Sequence, residues 1–97
     1  LAKRVQALLP PIPEEDPELI TTLEKVKEGM SAVVKQVDGG HKIRQRLGGL
    51  GIHVDDRLRV IRTGFLGGPV LIEIHGAEVG IGHGMAEKIE VEVMEDE

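Results

Sequence analysis

Residues 39–52 read GGHKIRQRLGGLGI, and the reading of this stretch decides the fold. Ile43, Leu47 and Leu50 stand at i, i+4 and i+7, which places them on one face of a short helix and turns Lys42, Arg44, Gln45 and Arg46 elsewhere. Gly39 and Gly40 enter the helix. Gly51 lies just past it, where a residue that can take the left-handed conformation without a side-chain clash ends a helix. Gly48 and Gly49 fall inside, at roughly 1 kcal/mol each relative to alanine, so close packing or a kink is expected there.

Working outward, every neighbouring segment has the shorter period of a strand. Residues 30–37, MSAVVKQV, are rich in β-branched side chains and end at Asp38-Gly39-Gly40, a turn signal. After the helix, residues 53–56 make a turn. In residues 57–62 Leu58 and Val60 face one way, Arg57, Arg59 and Ile61 the other. The glycine-rich loop 63–69 carries Phe65 and Leu66 at its tip. Val70, Ile72 and Ile74 alternate with Leu71, Glu73 and His75, Val79 and Ile81 are the inward candidates of 77–81, and Ile89, Val91 and Val93 alternate with Lys88, Glu90 and Glu92. Residues 21–28 read as a single turn leading into the first strand. The predicted fold is therefore mostly all-β: a small five-stranded antiparallel barrel, closed or nearly closed, with one short helix capping an open end. Leu47 and Leu50 are the expected contacts of that cap.

Composition agrees with this architecture. The 97 residues allow one domain, 40% of them apolar, and the single aromatic, Phe65, means an aliphatic core. The absence of cysteine removes disulfides, thiolate metal sites and cysteine nucleophiles, and an intracellular protein is the simpler reading. No apolar run approaches the ~20 residues that span a bilayer, and no signal peptide is visible. The sequence opens on Leu1, as a fragment or processed chain would. Residues 1–20 read as an extension, with a short helical run at 1–9 and a stiff segment punctuated by Pro10, Pro11, Pro13 and Pro17. Residues 21–97 read as the barrel, with an acidic tail from Met94.

The net charge of −5 is unevenly distributed. Residues 35–62 hold seven Lys or Arg against three acids, and residues 85–97 hold one Lys against six. A positive middle and a negative tail can complement each other, or either can meet a partner.

The order of these residues resembles the FeoA family, small cytosolic proteins of bacterial and archaeal ferrous iron uptake. The resemblance rests on Gly29 before the first long strand, the Gly39-Gly40 turn, Arg46-Leu47 in the helix, Leu50-Gly51-Ile52 after it, Gly68-Pro69 before a strand, and Ala86, Ile89 and Val91 near the end. It spans residues 22–93. Two departures stand out: Val54-Asp55 where the family commonly has Pro-Gly, which predicts a looser turn, and Gly82 where it often has Arg. The resemblance implies an SH3-like barrel and a cytoplasmic role assisting the FeoB membrane transporter through its cytosolic portion.

Other chemistries fit less well. The four histidines include His75 and His83 at the two ends of one strand, with Glu73 and Glu78 nearby, ligand types that divalent metals accept. No spacing matches a strong metal motif, so solvated histidines and no bound metal or other cofactor are expected; transient ferrous iron binding finds no support. The glycine pairs match no phosphate-binding motif. Ser31 is the only serine and no triad can be built on it, so no enzyme is expected. The arginines lack the interleaved aromatics of a nucleic-acid surface. The expected contact surface for the transporter combines Lys42, Arg44 and Arg46 with the loop side chains Phe65 and Leu66, in a protein that is not membrane-inserted and whose oligomeric state stays open. The rival reading is the C-terminal SH3-like module of an iron-dependent, DtxR-type repressor.

Overall fold

A computed structural model describes residues 19–94. The expectations for residues 1–18 and for the end of the acidic tail, residues 95–97, lie outside the described residues. Six strands form one antiparallel sheet: β1 (Ile20–Thr22), β2 (Ser31–Val37), β3 (Arg57–Arg62), β4 (Val70–Ile74), β5 (Ala77–Ile81) and β6 (Ile89–Met94). Their order is β1-β6-β2-β3-β4-β5. The helix α1 (Gly40–Gly49) joins β2 to β3, and a single helical turn, α2 (His83–Ala86), joins β5 to β6.

The alternating segments became strands because each presents an aliphatic row to one core. Ala32, Val34, Leu58, Val60, Val70, Ile72, Ile74, Ile81, Ile89 and Val91 are all buried, and among the described residues no polar or charged side chain is. Irregularities between Val34 and Gln36 and between Val60 and Arg62 break the register, and the first lets Val37 turn inward after Val34. The sheet curls in an SH3-like barrel, but β1 and β5, the two ends of the order, do not pair with each other.

Three expectations change. The strand count is six, not five, because Ile20, Thr21 and Thr22 pair with Glu92, Val91 and Glu90 before a 3-10 turn at Leu23–Lys25 puts Leu23 and Val26 in the core. A three-residue strand has no periodicity of its own; pairing with β6 makes it one.

Leu50 is not a capping residue of the core. It is 43% exposed, and Ile52 is buried in its place. The cause is the end of α1. Gly51, at φ 84°, donates to the Gly48 carbonyl (3.0 Å), and Ile52 donates to the Leu47 carbonyl (2.9 Å). This is the Schellman arrangement, in which the residue two past the cap folds back onto the last turn. Leu47 and Ile52 therefore meet where straight helical spacing had put Leu50.

Gly49 is not explained by close packing either. A Cβ there would meet nothing within 4 Å, and at Gly48 it would make an ordinary 3.5 Å contact with His53. Nothing in the structure requires glycine at 49.

Candidate functional site

Helix α1 follows directly from the end of β2, where Gly39 (φ 108°) and Gly40 (φ 85°) swing the chain across the open end of the sheet. Leu47 is its fully buried anchor, with Ile43 packed partly against the core. Lys42, Arg44 and Arg46 are left exposed, as is His41. The helix contains no acid, and none of these three cations forms an ion pair among the described residues. Beside it Val37, Ile52 and Val54 line an apolar cleft of about 180 Å³, with Arg44 and His53 at its rim. Val54 and Leu50 are two of the three large aliphatic side chains left exposed among the described residues.

The third is Leu66, 90% exposed and in the left-handed region at φ 54°. The side chain of Phe65 lies outside what the structure describes. The loop that carries both is tied by the Thr63 N–H to Glu28 Oε1 (3.2 Å), ahead of the start of β2. Helix α1 departs from the other end of that strand. The basic residues and the loop tip are thus separated by the length of β2, roughly 20 Å for seven residues.

The turn after α1 is tight rather than loose. Asp56 N–H donates to the His53 carbonyl (3.0 Å), and Asp55 takes the left-handed conformation at φ 76° that a Pro-Gly turn would give to glycine. The His53 N–H bonds back to Asp56 Oδ2 (2.8 Å), so the carboxylate closes its own turn. His53 Nδ1 lies 3.5 Å from the same oxygen, and His75 Nε2 lies 3.3 Å from Oδ1. His75 belongs to the two-residue turn joining β4 to β5, with φ 53°, followed by Gly76 at 79°. Asp56 therefore clasps two turns that are 19 residues apart, a contact no sequence spacing announces.

Burial pushes the Asp56 carboxyl up, but the His53 N–H, the His75 hydrogen bond and attraction to both imidazoles more than offset it and hold the group below its ordinary value of 3.8. A folded carboxyl of lowered pKa contributes stability that is present above the unfolded pKa and lost as pH falls through the folded one. Asp56→Asn is expected to lower the melting temperature at about pH 5, with the deficit closing as pH falls below the ordinary carboxyl value of 3.8 and through the lower folded one. Thermal melts across that range check it; a deficit of constant size assigns the effect to turn geometry and not to charge.

The two histidines considered for metal binding are not brought together in one group. His75 faces Asp56, while His83 Nε2 lies 3.7 Å from Glu87 Oε2 at the α2 turn. Among the described residues no three His, Asp or Glu side chains are arranged to hold a metal ion, and no helix is long and apolar enough to cross a membrane.

Comparison with known proteins identifies the fold and the family. The FeoA domain profile matches residues 21–93. A Methanocaldococcus jannaschii protein assigned by name as an Fe(2+) transport protein A is 44% identical over 66 residues, which cover 68% of this chain and 78% of that one. The crystal structure of an iron uptake regulatory protein, FeoA, superposes with a TM-score of 0.70 at 27% identity, covering 77% of this chain and 97% of that one. A manganese-dependent transcriptional repressor complexed with manganese shares the fold at a TM-score of 0.72 and 24% identity; the match covers 88% of this chain and 39% of the repressor. With a profile match across residues 21–93 and an archaeal relative 44% identical over the 66 aligned residues, the chain belongs to the FeoA domain family.

Proposed function

We propose that this chain is a cytoplasmic accessory protein of ferrous iron uptake that acts without chemistry of its own, by contact with the cytosolic portion of a FeoB-type transporter. The observation that carries the reading is α1: three exposed cations, Lys42, Arg44 and Arg46, with no acid in the helix, set beside the apolar cleft of Val37, Ile52 and Val54. Such a pairing offers an apolar anchor point and a charged rim, the rim steering an acidic partner surface and the cleft slowing its departure. Leu66, with its neighbour Phe65, serves as a second point of contact at the far end of β2.

The triple variant Lys42→Glu, Arg44→Glu, Arg46→Glu is expected to reduce retention on the immobilised cytosolic domain of the FeoB-type transporter from the same genome by about tenfold or more, and to flatten its salt dependence. Leu66→Ala is expected to weaken it less. Retention of the triple variant at the parent level would overturn the reading. The repressor alternative draws on shared fold alone and has no feature of α1 to recommend it.

A further inference from the structure

The outer face of the sheet carries a second charged arrangement, separate from α1. Cross-strand register sets Met94, Ser31, Arg59, Glu73 and Glu78 in one row over β6, β2, β3, β4 and β5. A second row holds Ile20, Glu92, Val33 and Arg57. Because directly opposite residues share a face, Arg57 and Arg59 stand side by side on the solvent face of β3, both exposed. They border a shallow depression completed by Ser31, Glu73, His75 and Gly76.

Among the described residues, the carboxylates near these arginines are committed elsewhere or form no ion pair with them. Asp56 is held by the His53 N–H and both imidazoles, and Glu92 pairs with Lys35 at 3.4 Å. Glu73, the cross-strand neighbour of Arg59, forms no ion pair with it among the described residues. Among the described residues neither guanidinium forms an ion pair, and each presents a planar fork of donors that suits a carboxylate.

From this arrangement we propose that the outer face of β3 binds an extended acidic peptide segment with carboxylates at alternate positions. Spacing chooses the ligand. Residues two apart on a strand project the same way at roughly 6–7 Å, and a segment of the form Glu-x-Glu or Asp-x-Glu in extended conformation repeats that distance. Neighbouring charge narrows the choice further. Glu73 and Glu78 stand in the row of Arg59 and repel a uniformly anionic polymer such as a nucleic acid along its length, whereas of two isolated carboxylates aligned along β3 only the one at Arg59 lies beside Glu73. The Ser31 hydroxyl, opposite Arg59, supplies one more donor to the carboxylate there.

The test is fluorescence anisotropy on the full chain at low salt, with a labelled pentapeptide carrying glutamates at its second and fourth positions. Binding is expected to weaken roughly tenfold in Arg57→Ser/Arg59→Ser, two exposed ion pairs being lost together, and to tighten by about twofold to fourfold in Glu73→Gln, which removes the opposing charge and keeps the shape. Arg44→Ser/Arg46→Ser is expected to leave it within about twofold. Equal binding by a peptide with its two glutamates adjacent, displacement by inorganic phosphate at the peptide's own concentration, or indifference to both the β3 pair and Glu73→Gln would each overturn the assignment. A transporter that still releases the α1 triple variant while this peptide binds normally separates the two surfaces.

Discussion

Replacing Leu47 by alanine is expected to destabilise the protein by about 2–5 kcal/mol, the range for deleting most of a large buried aliphatic side chain. For a domain of this size that corresponds to a fall in melting temperature on the order of 10–30 °C. The argument is geometric. Leu47 is wholly buried, and its carbonyl accepts the Ile52 N–H, so one residue both fills the core beneath α1 and fixes the chain reversal after it. Truncation leaves a cavity between two elements that are held together at that point. Leu50→Ala, three residues on, is expected to change stability by no more than about 0.5 kcal/mol, since its side chain already lies partly in water. Thermal melts of the pair decide the matter: equal, small effects would mean that α1 does not cap the core.

The second large effect is expected at the other end of the same helix. Gly39→Ala places a Cβ on a residue at φ 108°, 2.5 Å from Ile43 Cδ1 and 3.0 Å from Lys88 Cδ. The backbone conformation alone costs an L-residue about 1–2 kcal/mol, and displacing Ile43, which packs on the core, adds overpacking strain. A loss of about 2–4 kcal/mol is expected, read as a lower urea midpoint at unchanged slope. Gly49→Ala has the opposite sign. With right-handed geometry and open space around it, alanine there is expected to raise stability by about 0.5–1 kcal/mol, by restricting the unfolded chain and suiting the helix. If both variants were destabilised alike, the distinction between a conformational and a dispensable glycine would fail.

These two ends show what could be read from the residues and what could not. The strands whose aliphatic rows alternate, such as Leu58-Val60 and Ile89-Val91, were legible because period two has one physical solution when a single face is buried. The helix was legible up to its last turn. Leu50 was placed inside because its spacing continues the apolar stripe, yet Gly51 ends the regular geometry that makes spacing meaningful, and Ile52 takes the buried place. Strand β1 was invisible for a related reason. Ile-Thr-Thr is too short to carry a pattern, and its partner lies some 70 residues away at Glu90 to Glu92.

Of the site, the basic residues of α1 could be named from the sequence as exposed, since they fall off the apolar stripe. The apolar cleft beside them could not, because Val37 turns inward only through the irregularity in β2, and Ile52 only through the helix cap. The clasp of Asp56 between His53 and His75 joins two turns through the curl of the sheet. Asp55 and Asp56 are adjacent in the turn, yet the fold gives Asp56 the clasp and Asp55 the left-handed conformation.

The antiparallel pairing of β1 with β6 has an organisational consequence. Ile20 lies opposite Glu92, so the chain enters the barrel beside the place where it leaves, and Ser31, opposite Met94, marks the same corner. The opposite end of β6 lies beside Val37, from which α1 departs. The domain is therefore suspended from one pole and presents its helix at the other. The two ends of the described barrel, Ile20 and Met94, thus lie together at the end of the sheet away from the point where α1 departs.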